Sequence, residues 1–324
     1  MHKIYQKIML NRRILRIKAF KALFSYAENP DLGSAGAVKQ LRLSCESTRD
    51  LYLFMLSIVP VLTAEALSRI EAARSKINPT EEELHPNMKF TANAIAPLLS
   101  EDPDFTKIIA KKKFSWEPYP SFVRNLYESV REKDWFKKYL ASGRNDVKED
   151  AALFVRIFEE EFVDNEELGK ILEDMSIHWV DDLAYALTWC CHAMDDFARG
   201  ARWTLPPLFL SEINSKRDPT LESDRDFVEK LLRAAVASYG DYSEMIASSV
   251  SHWDKDRLFV TDTVLICLGL AEAATFPQIP ISVTINEYVD ISKYYSTPRS
   301  SAFVNGLLDR LIQKLIAEGR IVSH

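Results

Sequence analysis

The sequence predicts an all-α protein, and three observations carry that expectation. Only nine glycines serve 324 residues, and glycine-poor chains rich in Ala, Leu, Glu and Lys favour helices over the tight turns of β architecture. Apolar residues recur at helical spacing, as in Phe303, Leu307, Leu311 and Leu315, which line up every four residues as a core face. Helix-start signals punctuate the chain: Thr80 with Glu83, Thr284 with Glu287, and Thr297 just before Pro298. At 47% hydrophobic and 27% charged residues, the composition is that of a soluble globular protein with one or two domains.

The elements follow in order. Leu10 to Tyr26 reads as the first helix, and Glu28 to Gly36 as a loop containing Pro30 and two glycines. The pattern from Ala37 to Ile77 is helical, with a bend expected at Pro60, because proline removes an i→i−4 hydrogen bond. Thr80 and Glu83 form a capping box that starts a new element. From there to about Glu149, Pro86, Pro97, Pro103, Pro118 and Pro120 allow only short helices. Longer helices are expected near 149–163 and 178–198. A proline-rich loop at Leu205, Pro206 and Pro207 and a charged stretch from Lys216 to Asp226 make a boundary. The last hundred residues hold about five helices. Thr284 with Glu287 is a second capping box, and the final helix is expected to take Thr297 as N-cap and Pro298 as its first residue. Gly306 inside that helix costs roughly 1 kcal/mol against alanine, so it is expected to permit close packing. His178-Trp179 with Asp182 recurs as His252-Trp253 with Asp256 at the same offset. That recurrence reads either as a decayed internal repeat or as chance.

Net charge is −6, which taken alone speaks against a polyanionic ligand. The distribution speaks for one. Up to Ala27 there is no acid, while Lys3, Lys7, Arg12, Arg13, Arg16, Lys18 and Lys21 are present. Arg12, Arg13 and Arg16 share one side of the first helical turn, and planar guanidinium forks suit phosphates and stack on bases. The same helix carries two apolar stripes: Leu15, Ala19, Ala22 and Tyr26, then Ile17, Phe20 and Phe24. A surface helix needs one stripe. The second must be covered by the chain itself, which is favoured, or by a partner. At the other end, Arg299, Ser300 and Ser301 occupy a first helical turn, where free N–H groups, hydroxyls and an arginine suit a phosphate.

Catalytic and metal chemistry find little footing. No H-E-x-x-H, G-x-S-x-G or phosphate-cradling glycine loop occurs. His178, Asp181, Asp182, His192, Asp195 and Asp196 include an i, i+4 pair able to share a metal, but aspartates at a helix start more simply favour its dipole. No metal, cofactor or enzyme activity is expected. Lys111, Lys112 and Lys113 with Phe114 and Trp116 read as a solvated face or, less favoured, an extended RNA path. Cys45, Cys190, Cys191 and Cys267 form no C-x-x-C pair and read as reduced, buried thiols of a cytosolic protein. Leu51 to Ala64, the longest uncharged stretch near the N-terminus, is too short to span a bilayer, which needs roughly 20 residues. No signal peptide is visible. A cytoplasmic protein without a membrane partner is expected.

Three segments carry a resemblance. Ile285-Asn286-Glu287 followed by Phe303-Val304-Asn305-Gly306-Leu307-Leu308-Asp309 resembles the C-terminal signature of the NusB family. Asn11-Arg12-Arg13-Ile14-Leu15-Arg16 through Ala22-Leu23-Phe24-Ser25-Tyr26 is similar to the family's arginine-rich first helix. Trp253, Asp256, Arg257, Leu258, Asp262 and Glu272 fit a third family run. The resemblance implies a NusB-like helical bundle of two small subdomains. Residues 9–64 and 222–324 would be its N- and C-terminal parts and 65–221 a helical insertion, with residues 1–8 an extension. It further implies a transcription antitermination factor that binds the boxA RNA of ribosomal operon transcripts together with the ribosomal protein NusE, joins the RNA polymerase antitermination complex and promotes read-through of Rho-dependent terminators. Arg12, Arg13, Arg16, Ser300 and Phe303 match RNA-facing positions, and Phe24, Asp256 and Asp262 match NusE-facing ones. The chain departs from the pattern in places. Ala302 stands where a basic residue is common, Thr263 and Cys267 where arginines are usual, and Arg299 where an acid is common, so that Arg299 is expected to restore the positive charge for RNA. Two alternatives compete: a helical protein-interaction scaffold without RNA binding, and a stand-alone relative of the NusB-like domain of ribosomal RNA cytosine methyltransferases. The latter lacks here the α/β cofactor domain its chemistry needs.

Overall fold

The computed structural model describes residues 10–179, 181–209, 223–250 and 259–322. Among these residues every element is helical and no strand occurs. The helices are α1 (Arg12–Glu28), α2 (Gly33–Leu56), α3 (Ile58–Arg74), α4 (Glu81–Leu84), α5 (Ile95–Ser100), α6 (Pro103–Lys112), α7 (Pro120–Glu132), α8 (Asp134–Ala141), α9 (Val147–Glu160), α10 (Glu166–Met175), α11 (Leu183–Ala198), α12 (Asp224–Ala237), α13 (Tyr239–Ser249), α14 (Val260–Thr275), α15 (Ile281–Tyr295) and α16 (Ser300–Ala317). Two compact units emerge, one of residues 1–46 with 207–324 and the other of residues 47–206. The second boundary falls in the proline-rich loop. The first falls inside α2, where no breaker marks it.

In the first unit α14 is the central element. Its residues from Asp262 to Ala273 are buried on all sides, and α1, α12, α15 and α16 pack against it. A helix that is apolar all round must be enclosed in this way. Gly269 lets the neighbours close in: a Cβ there would sit 2.7 Å from Leu308 Cδ2 and 3.3 Å from Tyr288 Cδ2. Gly306, by contrast, faces open space. The expected close packing at Gly306 is therefore corrected; the glycine that permits it is Gly269. Helix α1 begins at the N-cap Asn11, whose side chain accepts the Ile14 N–H at 3.0 Å. Its first stripe is buried at Leu15, Ala19 and Ala22. Of its second stripe, Phe20 is buried against the Tyr295 ring, with centroids 5.4 Å apart, while Ile17 and Phe24 stay half-buried. The chain covers the second stripe in part.

Local start signals fared unevenly. At Thr80 and Glu83 both bonds of the capping box are present. Thr284 lies inside α15, a turn beyond the N-cap Pro280, and its hydroxyl turns inward to donate to Glu272 instead of capping. Thr297 precedes a turn, its carbonyl accepting the Ser300 N–H at 2.9 Å, so α16 starts two residues later than expected. Pro60 does not break the helix. The break is at Ser57, and Pro60 sits in the first turn of α3, where its missing N–H has no intrahelical partner to lose.

The second unit has its own core. Phe54 is stacked on Trp116, with centroids 4.1 Å apart, and on Trp179 at 5.4 Å. Phe90, Phe136 and Phe154 make a second aromatic cluster. Pro103 and Pro120 each open a helix from its first position. One 18-residue window within Pro30–Arg74 is apolar enough to cross a bilayer by composition, but 61% of it is buried inside the protein, the pattern of a core helix.

Candidate nucleic-acid interface

The three arginines of α1 meet three different fates. Arg16 is buried, with 5% of its side chain exposed, and donates through Nε and Nη2 to the two oxygens of Glu272, both at 2.8 Å. Glu272 is fully buried and also accepts from Thr284 Oγ1 and the Tyr288 hydroxyl, each at 3.0 Å. Every lone-pair direction of this carboxylate is occupied, which is the condition under which a buried ion pair is tolerated. Burial pulls the Arg16 pKa down, yet the bond and charge of Glu272 leave it raised overall. Burial also pushes the Tyr288 hydroxyl well above its usual range, so it stays a donor to Glu272. Arg16 thus corrects the expectation of a phosphate-facing residue: its guanidinium staples α1 to α14.

Arg13 is half-exposed at 47%. Its Nε and Nη2 donate to Glu287 at 3.0 and 3.1 Å, and Nη2 also donates to Asp290 at 2.9 Å. The bond to Glu287 raises the Arg13 pKa. Arg12, at 38% exposure, makes one long contact of 3.4 Å to Asp224 and lies over the Phe227 ring, 4.5 Å from its centroid. The arginine face is therefore answered by four carboxylates, Asp224, Glu272, Glu287 and Asp290. Lys18, also counted in the basic segment, is buried, with Nζ donating to the Ser44 carbonyl at 2.9 Å.

At the start of α16, Arg299 is exposed and has no ion pair among the described residues. Ser300 is buried. It donates to Asp262 Oδ2 at 2.9 Å, while Ser296 donates to Asp262 Oδ1 at 2.6 Å. Asp262, expected to face a partner, is 1% exposed and pins the turn that leads into α16. That corrects its placement: each carboxylate oxygen accepts from a hydroxyl of its own chain. Phe303 and Phe24 are half-buried, with Phe24 6.3 Å from Phe20 by ring centroid. Asp256 lies outside the described residues, as do Trp253, Arg257 and the second copy of the possible repeat.

The NusB family profile matches residues 207–313, the stretch that supplies α12 to α15 and most of α16. A transcription antitermination protein NusB of Desulforapulum autotrophicum is 31% identical over 116 residues, which cover 36% of this chain and 79% of that protein. The chain belongs to the NusB family. Another NusB protein, of Salinibacter ruber, is 34% identical over 99 residues, covering 31% of this chain and 62% of that protein. One from Methylacidiphilum infernorum is 38% identical over 95 residues, covering 29% of this chain and 66% of the relative. The chain thus spans somewhat less than two thirds of these last two relatives. No solved structure matches it significantly. The NusB-matching segment holds all four carboxylates that face the α1 arginines, and with them Asp262, Arg299, Ser300 and Phe303. The family signature residues Glu272 and Glu287 were legible as a motif, but their bonds to Arg16 and Arg13 were not. The available signal was the opposite charge of the motifs, three arginines in the first helix against Glu272 and Glu287 in the other two.

In the second unit, the Lys111–Lys113 patch separates into two parts. Trp116 is buried, with Nε1 donating to Ser57 Oγ at 3.0 Å, and Phe114 packs edge-on against Phe54. The lysines stay exposed, Lys112 pairing with Asp50 at 2.8 Å. The aromatics belong to the core and leave a solvated lysine face. Among the described residues no group of three or more His, Cys, Asp or Glu is placed to hold a metal. The four cysteines are unbridged; Cys45, Cys190 and Cys267 are buried, and Cys191 is half-buried.

Proposed function

We propose that the protein is a transcription antitermination factor of the bacterial cytoplasm that binds RNA and a protein partner and catalyses no reaction. The RNA is the boxA element of ribosomal operon transcripts, held by Arg12, Arg13 and Arg299 with Phe303 at the same helix as Arg299. Arg16 and Ser300 act from behind, by fixing α1 and the start of α16. The partner is NusE, met by Phe24 and Asp256, with Asp262 shaping the adjoining turn. The complex assists RNA polymerase past Rho-dependent terminators. We further propose that the second unit, residues 47–206, is the inserted part of the chain; the sequence pattern bounds the insertion at 65–221, whereas the family match begins at residue 207.

The observation that carries this reading is a pair of bonds. Arg13 and Arg16 of the arginine helix are joined directly to Glu287 and Glu272 of the segment that matches the family. Both of the motifs that imply RNA binding are thereby held on one unit. A second reading, a helical scaffold without RNA binding, is favoured by one feature: each of the three arginines is already engaged by a carboxylate. The two are separated by an Arg12→Ala, Arg13→Ala variant that keeps Arg16 and so keeps the fold. Loss of most RNA affinity, with a log–log salt slope shallower by about 0.7 for each single-strand phosphate contact removed, supports the first. Unchanged RNA affinity supports the scaffold.

A further inference from the structure

We propose that Glu287 and Asp290 form a carboxylate latch on Arg13, holding its guanidinium in phosphate-binding geometry and setting the threshold an RNA phosphate must exceed to displace them. The proposal rests on the RNA-binding role above and names how that site is tuned. An arginine offers its Nε–Nη2 edge as a fork that fits a carboxylate or a phosphate bidentately. In Arg13 this edge is taken by Glu287 at 3.0 and 3.1 Å, with Asp290 adding a third bond at 2.9 Å. A phosphate must use the same edge, so ligand and latch compete for one set of donors.

The three arginines form a graded series. Arg16 is sealed in the interior, Arg13 is latched at the surface, and Arg12 is held by a single contact of 3.4 Å. Only the middle one combines bidentate occupation with 47% exposure. Exposed ion pairs in water are weak and are screened further by salt, so the latch can open. It opens for a phosphate that is already positioned by other contacts, as at Arg12 or Arg299, and resists one arriving alone. Asp290 is itself steadied by Lys293, whose Nζ lies 2.7 Å away and whose bond lowers the Asp290 pKa, so Asp290 keeps its charge at physiological pH. Glu287 also lies 3.7 Å from Arg16 Nη1, which ties the latch to the buried staple.

The test is fluorescence anisotropy of a labelled boxA-containing ribosomal leader RNA, and of the same RNA with boxA scrambled, at two salt concentrations. The proteins compared are the full chain, Asp290→Asn, the Glu287→Gln, Asp290→Asn pair, and that pair combined with Arg13→Ala. Asp290→Asn alters only a partly exposed side chain, and far-UV circular dichroism verifies the fold of each variant. Removing the latch is expected to tighten binding of both RNAs roughly 3- to 10-fold, as for loss of exposed charge competitors, and to narrow the preference for boxA. Adding Arg13→Ala is expected to erase the gain. If the parent chain binds RNA while the folded latch variants bind no tighter, the latch is overturned and the RNA reading stands. If neither parent nor variants bind either RNA at low salt, the RNA reading falls and the latch falls with it.

Discussion

Arg16→Ala is the perturbation that most sharply divides a structural from an RNA-contacting arginine. In the folded protein Arg16 and Glu272 expose 5% and 0% of their side chains. Removing the guanidinium leaves a buried carboxylate with two of its four donors, Thr284 and Tyr288. Breaking a buried, hydrogen-bonded ion pair from one side costs about 3–5 kcal/mol, because the remaining charge is uncompensated. That is a large share of the 5–15 kcal/mol that typically holds a domain folded. Arg16→Met with Glu272→Gln removes both charges, and the glutamine keeps both partners, its carbonyl accepting from one of the Thr284 and Tyr288 hydroxyls and its amide donating to the oxygen of the other. The double variant should therefore lose only about 1–2 kcal/mol, less than Arg16→Ala alone. The assay is urea unfolding followed by far-UV circular dichroism, with hydrogen exchange of peptides from α14 to locate the loss in the first unit. The reasoning is refuted if Arg16→Ala costs less than about 1 kcal/mol and instead lowers RNA affinity as much as Arg13→Ala.

Three further outcomes follow from the packing. Gly269→Ala should destabilise the first unit by about 1–2 kcal/mol, since its Cβ meets Leu308 at 2.7 Å, whereas Gly306→Ala, in open space, should stabilise by up to about 1 kcal/mol; thermal unfolding compares the two. Burial pushes the Cys191 thiol up to about 11 and the Cys267 thiol up to about 12. A raised thiol pKa favours the neutral form in the folded state, so this stability is full below the unfolded value of roughly 8.5 and is lost as pH rises towards 11–12. Urea midpoints measured from pH 8 to pH 11 should fall, and Cys267 should resist a thiol reagent at pH 8 until the protein unfolds. Asp262→Ala removes the acceptor of Ser296 and Ser300 and should cost about 1–3 kcal/mol while raising hydrogen exchange at the start of α16 more than elsewhere.

The helical class, the five helices among the described residues of the last hundred and the short proline-bounded helices after residue 80 were legible because proline position and apolar period act locally. What failed were features decided by contacts distant in sequence. Thr284 and Glu287 have the spacing of a capping box, but Glu272 draws the threonine inward and Arg13 draws the glutamate outward. Gly306 and Gly269 look alike in sequence, and only the neighbouring Leu308 and Tyr288 distinguish them. Arg12, Arg13 and Arg16 share a helical turn, yet a rotation of that turn towards α14 buries one and exposes two. The break at Ser57 preceded the proline expected to cause it, because proline costs nothing in a first turn. The family motifs were readable as motifs; that they bond to one another, and so hold the fold as well as any ligand, required the structure.

The central claim is that this NusB-family chain recognises boxA RNA with a protein partner. The most direct measurement is anisotropy of a labelled boxA-containing ribosomal leader RNA titrated with the full chain, with and without NusE, beside a scrambled boxA control. Binding should tighten when NusE is present and weaken markedly on the scrambled RNA. Equal binding of the two RNAs, or none of either, with and without NusE, would contradict that claim.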